Sequence, residues 1–168
     1  MNKPNLIKKK SLPDGSRLRI GIVASEFHED ITERLLDGAL ATLRACKVEQ
    51  RNIRIARVPG SFEIPFGCLS LLDPDARRAG PEPRAKHREK RIDAIVALGC
   101  IVKGQTNHNV YIAAAVSRGI MNLSLEYHTP IGFGVITADT LPQAEARSKG
   151  KTNRGTDAAI AAVSMATT

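Results

Sequence analysis

The 168-residue chain has no tryptophan, two tyrosines and four phenylalanines. A core built on large rings is therefore excluded; Ala, Ile, Val and Leu must fill it, and each phenylalanine is scarce enough to be a candidate contact residue. No run of about 18 apolar residues occurs, so the sequence offers no membrane-spanning helix. Lys8-Lys9-Lys10 is not followed by an apolar stretch, so no secretory signal is visible. Cys46, Cys68 and Cys100 are odd in number and widely spaced. With no Cys-x-x-Cys pair and no Cys/His ligand spacing, the expectation is reduced, metal-free thiols in a cytoplasmic protein.

Acidic residues are also in deficit, 17 against 25 Lys and Arg, for a net charge of +8. The excess is local. Residues 1–20 carry +5 and residues 77–91 carry another +5, which leaves −2 for the rest of the chain. Solvated appendages on a near-neutral body are the plain reading, and binding of RNA or another polyanion is the sharper one.

The chain is organised around Ile92 to His108. Ile95 to Leu98 form a short apolar run of the kind buried on both faces of a parallel sheet. A loop bracketed by Gly99 and Gly104 is expected next, and Thr106-Asn107-His108 then leads into an Ala-rich helix reaching about Tyr127. Open α/β sheets build ligand sites at the carboxyl end of a strand in this way, and the N–H groups of a helix's first turn can receive an anion. Two glycines four residues apart also occur in P-loops. Here the lysine precedes the second glycine and no Lys-Ser/Thr pair follows, which rules against a nucleoside triphosphate site.

Residues 1–16, with Pro4, Pro13 and the Asp14-Gly15 turn signal, read as a flexible arm. Leu18 to Ala24 is the first strand. Ile31, Leu35, Leu36, Ala39, Leu43 and Cys46 recur at helical spacing behind Asp30 as the expected cap. Asn52 to Val58 is the second strand, and a helix from Phe62 to Leu72 follows Pro59-Gly60-Ser61. Residues 73–91 read as a basic insertion, and Pro130 to Thr137 as the fourth strand. Thr140 is placed to cap a short helix that tolerates Pro142 in its first turn. A last helix carries Ala158, Ala159, Ala161, Ala162 and Ala166. This order predicts a single α/β domain: a three-layer α/β/α sandwich around a parallel sheet.

Several motifs now coincide in order: Phe27 after the first strand, Val58-Pro59-Gly60-Ser61-Phe62-Glu63-Ile64-Pro65, Ala97-Leu98-Gly99 to Lys103-Gly104, Thr106 with His108, and Asn153-Arg154-Gly155. Together they resemble the 6,7-dimethyl-8-ribityllumazine synthase family of riboflavin biosynthesis, over about residues 18–167. The resemblance implies a flavodoxin-like sheet and a homopentamer, in some members assembled into larger shells, with active sites between adjacent subunits. It implies condensation of 5-amino-6-(D-ribitylamino)uracil with 3,4-dihydroxy-2-butanone 4-phosphate, with release of phosphate and water. Neither cofactor nor metal is implied, and riboflavin synthase is the implied functional partner.

Residue by residue, the resemblance implies that Phe27 stacks on the pyrimidine and that Ser61 and Glu63 lie near the ribityl chain. The backbone of Ile101 and Val102 would pair with the pyrimidine edge. Gln105 and Thr106 would hold phosphate together with Arg147 of a neighbouring subunit, which would also supply Phe133 and Arg154 to the ring. His108 would carry protons, a role that suits an imidazole near neutral pH. Departures from the family pattern are Asn109-Val110 after the histidine, in place of an aromatic and an acid, His28 in place of Asn, and Arg154 in place of Lys.

Taken singly, these residues have plainer roles. Phe27 and Phe133 would be core, His108 a cap or surface residue, Glu63 a first-turn charge favoured by the helix dipole, and Arg147 and Arg154 solvated. Only the joint pattern favours the enzyme. The competing reading is a flavin- or pterin-like ligand-binding homologue with little turnover.

Overall fold

A computed structural model describes residues 11–74 and 91–168. The charged stretches 1–10 and 75–90, which hold most of the expected arm and insertion, lie outside the described residues. Four strands, β1 (Ile20–Ser25), β2 (Ile53–Val58), β3 (Ala94–Val102) and β4 (Ile131–Ala138), form one parallel sheet in the order β2-β1-β3-β4. The helices are α1 (Glu29–Ala45), α2 (Ile64–Leu72), α3 (His108–Glu126), α4 (Leu141–Ala146) and α5 (Arg154–Ala166).

β3 shows why three layers form. Its side chains alternate between faces with period two. Ala94, Val96, Leu98 and Cys100 join the core under α1, α4 and α5. Ile95, Ala97 and Ile101 join a second core under α2 and α3. A strand apolar on both faces needs helices on both, and the expected α/β/α sandwich follows.

Small residues set the close approaches. A Cβ on Gly155 would lie 2.0 Å from the Leu35 carbonyl oxygen of α1, and one on Gly132 would lie 2.1 Å from the Ala158 carbonyl oxygen of α5. Neither position accommodates a larger residue without moving a helix. Asn153 caps α5: its Oδ1 accepts from Gly155 N–H at 2.8 Å, and its Nδ2 donates to the carbonyls of Arg34 and Ser148 at 2.7 and 2.9 Å. The buried amide satisfies donor and acceptor together. Thr140 caps α4 as expected, accepting from Gln143 N–H.

Most boundaries fall within two residues of the sequence expectation, with α2 starting at Ile64 and not Phe62, and three differences bear on the site or the arm. β3 runs through Gly99 to Val102, because parallel pairing with β4 continues to the Val102–Ala138 register. The loop therefore starts at Lys103. α1 is entered through His28 in the left-handed region (φ 59, ψ 49), with no side-chain cap, and Asp30 lies inside the helix. Asp14-Gly15, expected in the arm, is tied to the body: Gly15 N–H donates to the Cys46 carbonyl at 2.7 Å, and Asp14 pairs with Lys47.

Candidate active site

Strand order reverses at β1 and β3, since β1 leads outward to β2 and β3 outward to β4. That switch point is where open α/β sheets leave a crevice beyond the carboxyl ends of their strands. A cleft of about 400 Å³ opens there, lined by Phe27 and His28 after β1, Gly60 to Glu63 after β2, Cys100 to Val102 of β3, and His108, Asn109 and Ile112 of α3.

Each wall has a local cause. The turn after β1 is clamped to the end of β2, with Glu26 N–H donating to the Val58 carbonyl at 2.8 Å and Phe27 N–H to the Pro59 carbonyl at 3.0 Å. Phe27 is thereby held at the surface, 66% exposed. Ser61 is buried, and its hydroxyl donates to the Cys100 carbonyl at 3.2 Å, pinning the β2–α2 connection to β3. Gly99 makes room for this contact, since a Cβ there would lie 2.7 Å from Ser61 Oγ. Glu63, exposed at the entry to α2, keeps its carboxylate on the rim.

At the fourth wall, α3 begins at His108 behind Asn107, whose side chain makes no cap hydrogen bond. Thr106 Oγ1 accepts a long hydrogen bond, 3.4 Å, from His108 N–H. First-turn N–H groups without side-chain caps can receive an anion. Gln105 is exposed in the same loop, outside the cleft lining. The amide oxygen of Asn109 is buried without a partner among the described residues. Burial pushes the Cys100 thiol up to about 11, so Cys100 serves as an apolar wall and not as a nucleophile near neutral pH.

Phe133, Arg147 and Arg154 lie elsewhere. With Val135, Thr137 and Asp157 they line a depression of about 330 Å³ beside β4 that shares no residue with the first cleft. Arg154 N–H donates to the Arg147 carbonyl at 2.9 Å, which fixes the two arginines side by side. The Arg147 guanidinium donates to the Gln143 carbonyl at 2.8 Å, and Arg154 pairs with Asp157 at 2.8 Å. Phe133 is 46% exposed. Within one chain, then, the expected site residues form two groups. One carries an aromatic face, an imidazole and an open helix N-terminus; the other carries an aromatic face and two guanidinium groups.

Phe62, Cys100, Asn109 and Ile112 line the cleft although the sequence did not mark them as site residues. His108 and Ile112 are four residues apart on a helix and so share a face, a signal that the spacing of the sequence carries by itself. Among the described residues, no group of three His, Cys, Asp or Glu side chains is placed to hold a metal ion.

Comparison with known proteins gives one answer. Residues 17–168 match the family model described as 6,7-dimethyl-8-ribityllumazine synthase. A protein of that name from Parabacteroides distasonis is 41% identical over 156 residues, spanning 92% of this chain and 88% of the relative. Another, from Aquifex aeolicus, is 43% identical over 150 residues, spanning 89% and 88%. A third, from Porphyromonas gingivalis, is 39% identical over 158 residues, spanning 94% and 89%. A match of this length, on a chain that sets Phe27 and His108 in one cleft, is decisive: the chain belongs to the 6,7-dimethyl-8-ribityllumazine synthase family.

Proposed function

We propose that this protein condenses 5-amino-6-(D-ribitylamino)uracil with 3,4-dihydroxy-2-butanone 4-phosphate to form 6,7-dimethyl-8-ribityllumazine, releasing phosphate and water. One observation carries the reading: an exposed Phe27, the imidazole of His108 and the start of α3, where Asn107 makes no side-chain cap, converge on one cleft in a chain of this family. The Phe27 ring offers a face on which the pyrimidine stacks. The α3 N-terminus, with Thr106 and Gln105, receives the phosphate. Ser61 and Glu63 lie toward the ribityl chain, and the backbone of Ile101 and Val102 meets the pyrimidine edge. Imine formation, phosphate loss and ring closure all move protons, and His108 is the carrier. Holding two small reactants together supplies much of the remaining acceleration.

The functional unit in this reading is a homopentamer in which Phe133, Arg147 and Arg154 of one subunit complete the cleft of the next. Two features support it. The second group of residues is separate from the first within one chain. In addition, α3 buries only Val116 and Ile120 of its 19 residues while exposing Tyr111, Met121 and Leu125, and Phe62 and Phe66 stand exposed nearby in sequence on the α2 side. Exposed apolar surface of this kind marks a contact between proteins. Among the described residues no helix is long and apolar enough to cross a membrane. A cytoplasmic location, with riboflavin synthase consuming the product, fits that reading.

Incubating the purified protein with both substrates, and following lumazine fluorescence above the uncatalysed background, tests the activity. Product formation at the background rate would leave only a ligand-binding homologue, the reading that His108 in the cleft disfavours. Sedimentation at five times the chain mass is the expected result for the assembly.

A further inference from the structure

The cleft contains a second imidazole, on the residue after Phe27. Neighbouring side chains in an extended chain point to opposite sides. At His28 the backbone instead turns into the left-handed region (φ 59, ψ 49), a conformation that Asn, Asp and His adopt more readily than most side chains. The turn is fixed from both ends. Glu26 and Phe27 are hydrogen-bonded to the end of β2, and the His28 carbonyl accepts from Ile31 N–H at 2.9 Å and Thr32 N–H at 3.1 Å to start α1. The two rings are left 4.7 Å apart between centroids, with their planes at 69°, an edge-to-face pair. His28 is half-buried and lines the cleft, while Phe27 is 66% exposed. Among the described residues no hydrogen bond engages the His28 imidazole. Glu26 and Glu29 flank it in the chain, and Glu63 and His108 share the cleft lining.

An exposed phenylalanine with no neighbour samples several rotamers and loses that freedom when a ligand stacks on it; holding the ring beforehand removes part of the cost. We infer that His28 is a positioning residue, whose ring fixes Phe27 edge-to-face and so presents the stacking face to the pyrimidine substrate. The inference rests on the proposed function for the identity of the ligand, but the ring contact itself is independent of it.

Two substitutions separate the possible roles. His28→Asn keeps a residue tolerant of the left-handed conformation but removes the ring. His28→Phe restores a ring that cannot titrate. In the parent assembly the expected result for His28→Asn is an aminouracil KM raised about two- to tenfold, the worth of one aromatic pair. kcat and the KM for the butanone phosphate should stay unchanged, and His28→Phe should recover most of the aminouracil KM. An unchanged KM in His28→Asn would reduce His28 to a helix-entry residue and overturn the inference. So would a fall in kcat with loss of a pH limb that His28→Phe fails to restore, because the imidazole would then be moving protons.

A readout without turnover stands beside the kinetics. The Phe27 ring proton shifts, followed by NMR, should move in His28→Asn and stay displaced by a neighbouring ring in His28→Phe. Phe27 shifts identical in the parent and His28→Asn would mean that the contact is absent in solution, and the inference would fall even if the enzyme is active. Absence of lumazine formation by the parent would instead sink the proposed function, leaving the NMR result to decide the contact.

Discussion

The Phe27–His108 cleft and the Phe133–Arg154 depression are built on opposite plans. The first is assembled from the carboxyl ends of three strands and a helix start, and it is lined by two imidazoles and the exposed ring of Phe27. The second lies along the edge strand β4, and its character comes from two guanidinium groups tethered by the Arg154–Arg147 backbone hydrogen bond. Proton-carrying groups line the first and fixed positive charge the second. Under the proposed function the arginines of the second complete the cleft of the first. The difference teaches that one chain can keep its proton carriers and its fixed cations in separate regions; under the proposed function the two are half-sites, and the chemistry requires association.

The largest expected effect breaks the comparison directly. General acid–base assistance is worth about 10²- to 10⁴-fold. His108→Ala should lower kcat by a factor near the lower end, about 10², with little change in substrate binding. Arg154→Ala should also impair turnover. If the two regions meet across subunits, unfolding and co-assembling equal amounts of the variants should restore activity, since about a quarter of all interfaces then hold both intact groups. Mixtures no more active than either variant alone would place both groups in one chain's own site.

A smaller effect tests how the second region is held. Gly155→Ala must displace the Leu35 carbonyl or shift α5. Overpacking of this kind costs about 1–3 kcal/mol, so the urea midpoint should fall with an unchanged slope. The same change at Gly104, where no atom lies within 4 Å of an added Cβ, should leave it nearly unmoved. Equal effects at the two sites would mean that α5 is not packed as described.

Substrate selectivity sharpens the comparison further. Arg147→Ala should raise the KM for the butanone phosphate about tenfold, the loss expected for a charged hydrogen bond, and leave the aminouracil nearly unaffected. Free phosphate should compete with that substrate in the parent. Lys149 is tied to Glu145 at 3.1 Å, and Lys149→Ala should be close to silent; the reverse pattern would move the phosphate contact from Arg147 to Lys149.

The smallest effect concerns thiols, present near the first region and absent from the lining of the second. Burial pushes Cys68 up to about 12 and Cys100 up to about 11, against about 8.5 for a free thiol. The folded chain therefore keeps protons that the unfolded chain loses as pH rises above about 8.5. Stabilisation is complete below that pH and declines toward the folded values, by on the order of 1 kcal/mol at pH 9.5. Cys68→Ala should flatten the decline in a series of urea midpoints; a profile identical to that of the parent would remove Cys68 from this account.

Much of the architecture was legible because it is encoded locally. The Ile95–Leu98 run, the helical spacing from Ile31 to Cys46 and the Thr140 cap all depend on residues within a few positions of one another. The boundaries that differ from expectation depend on distant partners. Gly99 resembles a strand end until β4 pairs past it to Val102. Asp30 resembles a cap until the clamp of Glu26 and Phe27 to β2 moves the helix entry back to His28. Among site residues, Phe27 and Phe133 would have read singly as core, and only the joint pattern of motifs marked them. The cleft linings at Cys100 and Asn109 appear only once α3 lies beside the end of β3.

By itself the sequence determined the periodicities, the order of the elements and the motifs that carry family membership, since these depend on side-chain chemistry at short range. The tertiary structure alone decided which faces are open. Burial is a property of the whole assembly of layers, so no local pattern reveals that Phe27 stays at the surface while Ser61, with its hydroxyl on the Cys100 carbonyl, is buried. The separation of His108 from Arg147 and Arg154 is decided in the same way, because only the strand order β2-β1-β3-β4 sets the β4 depression apart from the cleft at the ends of β1 to β3.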